Sequence, residues 1–173
     1  MNKFFSAKRL CRAGVIGALY VVLTYAFSTF AFGPFQVRPA EALSILPLFF
    51  PEAVPALFAG CLLSNIISVY TVYDIIFGSL ASLLAGVCTY LIGKIVKKDG
   101  LKIGLGGLFP VVINALIIPA FIVFLCGDLG GQATMTTAYF INVAIFLFTQ
   151  SIWVYGLGAP LYFIVKRILK QTE

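Results

Sequence analysis

Long apolar runs, broken by short polar intervals, make up most of this chain. Six of them read as helices: Ala13–Phe32, Ala40–Phe50, Pro51–Tyr70, Asp74–Val96, Ile103–Leu125 and Thr137–Val165. An α-helix needs about 20 apolar residues to cross a hydrocarbon core roughly 30 Å thick. All but the second run meet or approach that length. The second carries Pro47, and at about 1.5 Å per residue its α-helical form covers only half a bilayer. No internal repeat, low-complexity stretch or soluble segment interrupts the series. The expected fold is an all-α integral membrane protein: one domain over residues 1–173, a six-helix transmembrane bundle with a short, Pro-interrupted second helix.

Composition agrees. The 173 residues are 61% hydrophobic and 10% charged, where soluble domains carry about 25% charge. All but one of the twelve Lys and Arg fall in three clusters: Lys3, Lys8, Arg9, Arg12; Lys94, Lys97, Lys98, Lys102; and Lys166, Arg167, Lys170. Basic clusters at the ends of apolar spans mark the cytoplasmic side. They account for the net charge of +6 as topology signals and anionic-lipid contacts rather than a nucleic-acid surface. Both termini are therefore expected in the cytoplasm. An even number of crossings must separate the first two clusters, so residues 40–70 cross twice, with a turn near Pro51 and Glu52, or re-enter without crossing. Ala13–Phe32 is too long for a signal-peptide core and lacks an Ala-x-Ala site, so a retained first helix is expected.

This topology leaves Arg38 alone on the far side, three residues before Glu41. Asp74 and Asp128 fall on that side too, while Asp99 and Glu52 belong to the basic side and Glu173 to the tail. Polar residues within the spans are few: Asn65, Asn114, Asn142 and Gln150. Such groups are costly in a bilayer and point to function. Arg38, Glu41, Asn65, Asp74, Asn142 and Gln150 are the candidate binding residues, converging on an outward-facing pocket. Each also has a plain alternative. Arg38-Pro39-Ala40-Glu41 can be a helix start, Asp74 a helix cap, and the asparagines bonds between helices. Phe35, Tyr70, Tyr73, Tyr139 and Trp153 suit an interfacial belt, the core or a ligand stack. In the first helix, Ala13 and Gly17, with Gly14 and Ala18, form small-residue stripes for close packing within the bundle or docking of a partner.

Catalytic machinery is not recognisable. The chain has no His, which removes the commonest metal ligand and proton shuttle. The four cysteines Cys11, Cys61, Cys88 and Cys126 are scattered, as small apolar residues in helices are. No phosphate loop or nucleophile motif appears. A non-enzymatic transport subunit without metal or cofactor is expected.

Three segments carry a resemblance: Phe35-Gln36-Val37-Arg38-Pro39-Ala40-Glu41-Ala42-Leu43-Ser44-Ile45-Leu46-Pro47; Pro51-Glu52-Ala53-Val54-Pro55 through Asn65; and Asp74-Ile75-Ile76-Phe77-Gly78-Ser79-Leu80-Ala81-Ser82-Leu83. With them the chain resembles the QueT family of queuosine-precursor transport proteins. These are substrate-binding (S) components of energy-coupling factor importers. The resemblance implies a multi-pass protein of the bacterial plasma membrane. Its partners would be a transmembrane coupling subunit and two cytoplasmic ATPases. Its ligand would be a 7-deazaguanine: 7-aminomethyl-7-deazaguanine, 7-cyano-7-deazaguanine or queuine. Glu41 would take the guanine-like edge, Asn65 or Asn142 the ring carbonyl and pyrrole N–H, and Asp74 an aminomethyl cation. Arg38 would orient Glu41. Ala13 and Gly17 would stand where S components commonly carry a small-residue docking motif. A stand-alone secondary transporter, or an S component for another flat heterocycle, is the competing reading.

Overall fold

The computed structural model describes residues 6–31, 37–68 and 70–171. Lys3, Phe32, Phe35 and Glu173, drawn on above, lie outside them. Among the described residues every regular element is helical. Helix α1 spans Ala7–Ala26, α2 Pro39–Leu48 and α3 Ala53–Ser64. Helix α4 covers Asp74–Ile95, α5 Asp99–Phe124 and α6 Met135–Gln171. Four of these, α1, α4, α5 and α6, are long and apolar enough to cross a membrane, while α2 and α3 are shorter apolar helices.

The long helices reach further into the basic clusters than hydropathy suggests. Helix α1 begins at Ala7 rather than Ala13, and α6 runs on to Gln171 rather than stopping at Val165. Lys and Arg are good helix formers whose stems lie along apolar surface while the charge stays in water. Helix α5 starts at Asp99, an acid suited to the positive end of a helix. Helix α6 starts after Thr134, whose hydroxyl accepts the Thr137 N–H at 3.3 Å as a side-chain cap. Between α2 and α3 the chain reverses at residues 49–52, the turn expected near Pro51 and Glu52.

Helix α2 is the central pillar. All ten of its residues are buried, and it touches every other helix of the set. It is a 3-10 helix, which rises about 2.0 Å per residue. Ten residues then reach about 20 Å, not the roughly 15 Å of an α-helix. The tighter winding lengthens the segment beyond an α-helix of equal residue count, but this short helix with Pro47 inside it still falls short of a hydrocarbon core roughly 30 Å thick. The close seat requires glycine opposite it. A Cβ at Gly93 of α4 would stand 2.7 Å from the Leu48 carbonyl oxygen.

Packing orders the ends. Tyr20 of α1 joins Ala40, Leu43 and Leu46 of α2 and Leu57 and Cys61 of α3 in one core cluster. Ala115, Ile118, Phe121 and Ile122 of α5 meet Phe146 of α6 in another. Large apolar side chains such as Val22, Leu63, Ile76, Phe140 and Phe148 point outward. That is ruinous in water and ordinary in lipid. Arg12 pairs with Glu52 at 2.7 Å, and Lys166 pairs with Asp99. These contacts gather the first turns of α1, α3 and α5 and the last turns of α6 at one basic end. The opposite end holds Arg38, Asn65, Asp74 and the loop around Asp128.

Candidate functional site

Glu41 lies one turn into α2 and is 2% exposed. Its carboxylate accepts from Tyr20 Oη of α1 at 2.7 Å, Ser44 Oγ of α2 at 3.2 Å and Asn114 Nδ2 of α5 at 3.3 Å. Three helices thus fix one acid. Arg38, also buried, donates from Nε to the Ala31 carbonyl at 3.2 Å. Both Asp74 and Glu41 lie within electrostatic reach of its guanidinium. A buried charge is tolerated only when paired and hydrogen-bonded, and this cluster supplies both.

Asp74 opens α4 through a π-helical turn, Asp74–Gly78, a distortion frequent at functional sites. Ser68 donates its hydroxyl to the Asp74 carboxylate. Asn65, at the end of α3, donates Nδ2 to the Asp74 carbonyl at 2.8 Å and to Cys61 Sγ at 3.4 Å. Gly78 is needed here, since a Cβ would stand 2.8 Å from Asn65 Nδ2. Several buried polar atoms have no hydrogen-bond partner among the described residues: Asn65 Oδ1, Asn114 Oδ1, Ser79 Oγ, and both Oε1 and Nε2 of Gln150. Such atoms cost about 1–3 kcal/mol each when left unpaired.

The candidates therefore divide. Arg38, Glu41, Asn65 and Asp74 come together. Gln150 is buried on α6, one turn beyond Phe146, immediately before a second π-helical stretch, Ile152–Leu157. Asn142 is set apart. It is half-buried and gives Nδ2 to the Ala138 carbonyl of its own helix at 2.9 Å. Among the aromatics, Tyr139 stacks near Phe124, Tyr73 is exposed and Trp153 half-buried. The α1 stripes also divide. Ala13 is partly buried against the core, and a Cβ at Gly17 would lie 3.2 Å from the Ala56 carbonyl of α3. That face is taken up inside the bundle, whereas Gly14 and Ala18 are exposed.

Sequence reasoning passed over Tyr20, Ser44 and Ser68. Tyr20 had a readable signal: Ile16, Tyr20 and Thr24 recur at the helical period and are the buried residues of α1.

A tether closes this end of the molecule. Tyr70 donates its hydroxyl to Asp128 in the loop between α5 and α6, and the Gly130 amide donates to the same carboxylate at 2.9 Å. These two donors hold the Asp128 carboxyl below the usual carboxylate range. Burial first, then the Asp128 bond, pushes the Tyr70 phenol up. A cleft of about 740 Å3 lies at the basic end, lined by Ala7, Leu10, Ala13, Pro51 and Pro55 with Arg9 and Glu52. It is mostly apolar and far from the buried acids. Among the described residues no group of three or more His, Cys, Asp or Glu is placed to hold a metal ion.

Residues 10–167 match the family described as QueT transporter. This chain belongs to that family. A curated relative, the queuosine precursor transporter QueT of Lactococcus lactis subsp. cremoris (strain MG1363), is 36% identical over 72 residues. The matched stretch is 40% of this chain and 42% of the relative, so it spans less than half of either. No solved structure matches the chain at a significant level. Family membership and the four apolar spans make it a multi-pass membrane protein of a transporter family.

Proposed function

We propose that the chain is the substrate-binding S component of an energy-coupling factor importer, taking up a queuosine precursor of the 7-deazaguanine class. The observation that carries this is Glu41, a buried carboxylate fixed by donors from three helices. It stands in a chain of the QueT transporter family. A guanine-like edge offers two adjacent donors, N1–H and the 2-amino group, and a carboxylate accepts both. Glu41 offers about four acceptor sites and uses three here. Seating both ligand donors requires one of its longer bonds, to Ser44 or Asn114, to turn away. A displaced Asn114 amide is then available to the ligand.

The remaining parts follow from topology and energy. Positive charge at the ends of spans faces the cytoplasm, so the basic end faces inward and the Arg38, Glu41 and Asp74 end outward. Capture then occurs from outside, with α2 and α3 as two short crossings. The chain lacks a phosphate-binding loop, so import against a gradient draws on partners or an ion gradient, and the family resemblance favours a coupling subunit and two cytoplasmic ATPases. The exposed Gly14 and Ala18 face of α1 is better placed to receive the coupling subunit than Ala13 and Gly17.

Titration of the purified chain in detergent with 7-aminomethyl-7-deazaguanine, queuine, guanine and riboflavin tests the substrate class. Trp153, the only tryptophan, provides a fluorescence signal and calorimetry a check. Tight binding of a deazaguanine but not riboflavin is expected, with at least about a hundredfold loss in Glu41→Gln. Folded protein that binds no deazaguanine, or a Glu41→Gln variant that binds normally, would sink the assignment. Co-purification with ATPase subunits tests the importer, and its absence would favour a stand-alone transporter.

A further inference from the structure

The cleft at the basic end lies between the first turns of α1 and the start of α3. Leu10 and Ala13 on one side, and Pro51 and Pro55 on the other, give it apolar walls around a volume of about 740 Å3. Span ends rich in Lys and Arg stand at the headgroup level of a bilayer. Apolar walls at that depth suit an acyl chain.

Two charged residues, Arg9 and Glu52, line the same cleft, and both have capacity left. Arg12 is already committed: it pairs with Glu52 Oε1 at 2.7 Å and lies 4.1 Å over the Phe50 ring. Arg9 is half-buried and has no ion pair among the described residues. The Glu52 side chain is 9% exposed, and its Oε2 is buried with no hydrogen-bond partner. A buried acceptor left alone is costly and calls for a donor. The last torsion of a Glu side chain is broad, so a modest turn presents Oε2 to the cleft while Arg12 keeps Oε1. Arg9 and Arg12 outnumber Glu52, and Lys8 stands exposed beside them, so the local balance is positive. The occupant that fits has an acyl chain, a net negative charge and a hydrogen-bond donor close to that charge. A zwitterionic choline or ethanolamine headgroup fails on net charge.

We infer that this cleft is a binding site for a phosphatidylglycerol-type lipid. The phosphate meets Arg9, a headgroup hydroxyl donates to Glu52 Oε2, and an acyl chain lies along Leu10, Ala13 and Pro55. A basic pocket between helix ends is a recurrent seat for anionic headgroups. The site is at the opposite end of the molecule from Glu41, so it does not depend on the deazaguanine reading.

Native mass spectrometry of the full chain, released from detergent with acyl-matched lipids added in equal amounts, tests this. The probes are phosphatidylglycerol, phosphatidylmethanol, phosphatidylethanolamine and phosphatidylcholine. Phosphatidylglycerol is expected to bind at least about tenfold more tightly than either zwitterionic lipid. It should also exceed phosphatidylmethanol, which has the charge but no hydroxyl, by about threefold or more. Arg9→Gln should bring phosphatidylglycerol to within about threefold of phosphatidylcholine. Equal binding of all four lipids by wild type would overturn the inference, as would an undiminished preference in Arg9→Gln. Equal binding of phosphatidylglycerol and phosphatidylmethanol would remove Glu52 from the site and leave only attraction of charge. Ala7→Phe puts bulk into the cleft from an exposed position and should weaken phosphatidylglycerol binding. If it left lipid binding unchanged and abolished co-purification with ATPase subunits, the cleft would be a protein interface and the lipid site would fall. The wild-type comparison needs no variant, so poor folding of either substitution does not shield the proposal.

Discussion

At the basic end Lys166 meets Asp99 with side chains 48% and 40% exposed. At the opposite end Arg38, Glu41 and Asp74 are each 1–2% exposed. Both ends set cations beside carboxylates, but in different environments. Water screens the first pair, and Tyr162 merely adds a hydrogen bond to Asp99 at 2.8 Å. The second set lies where charge is costly, and donors from three helices converge on Glu41 alone. Exposed charge orients the bundle at little energetic consequence. Buried charge is expensive enough that its persistence calls for a role, and the recognition of a polar ligand proposed above would supply one.

The contrast is broken most forcefully at Arg38. Arg38→Met leaves two buried carboxylates with no buried cation, a change expected to cost about 3–5 kcal/mol. Thermal unfolding in detergent should show a large drop or no cooperative transition. A variant as stable as wild type would mean that the cluster is not electrostatically coupled. Next comes Tyr20→Phe, which removes the 2.7 Å donor from Glu41. Losing one hydrogen bond to a buried charged group costs about 1.5–3 kcal/mol. The same melt should resolve this, and deazaguanine affinity should fall as Glu41 loses its positioning bond. Unchanged stability together with unchanged affinity would show that Glu41 does not depend on α1.

The two ends were not equally legible in sequence. The basic end was written in three Lys and Arg clusters, because topology charge must sit at span ends and nowhere else. Arg38, Glu41, Asn65 and Asp74 stood out as polar residues where polar residues are rare, and they do come together. Their connections did not show. That Glu41 leans on Tyr20 and Asn114 depends on helices 21 and 73 residues away in the chain. That Asn142 turns to its own helix depends on a rotamer. The winding of α2 was not legible because no apolar pattern distinguishes a 3-10 helix from an α-helix. Only packing on all sides of α2, with Gly93 making room for Leu48, stabilises ten residues in the tighter form.

A smaller effect sharpens the comparison at the rim of the end opposite the basic clusters. The Asp128 carboxyl is held below its ordinary value by Tyr70 and Gly130. A carboxyl lowered on folding contributes stability above its unfolded pKa of about 3.9, and that contribution is lost as pH falls through the folded value. The loop between α5 and α6 should therefore loosen only in acid, below about pH 4. Tyr70→Phe should raise the Asp128 pKa toward 3.9 and speed exchange of the Gly130 amide at neutral pH. Carboxyl NMR and hydrogen exchange read these two changes, and a variant showing neither would mean that the tether does not form.

The least effect is expected at Lys166. Both partners of its ion pair with Asp99 are well exposed, and exposed pairs contribute about 0–1 kcal/mol. Tyr162 still donates to Asp99 in Lys166→Ala, so the start of α5 keeps its anchor. The melt should shift by less than that of Tyr20→Phe, and the difference from wild type should shrink further in high salt, where surface pairs are screened. Two single losses of positive charge, one at each end, then differ severalfold in cost for a reason set by solvent access. If Lys166→Ala instead proved as damaging as Arg38→Met, the basic end would be carrying structural load through its charges. The division between orienting charge and recognising charge would then fail.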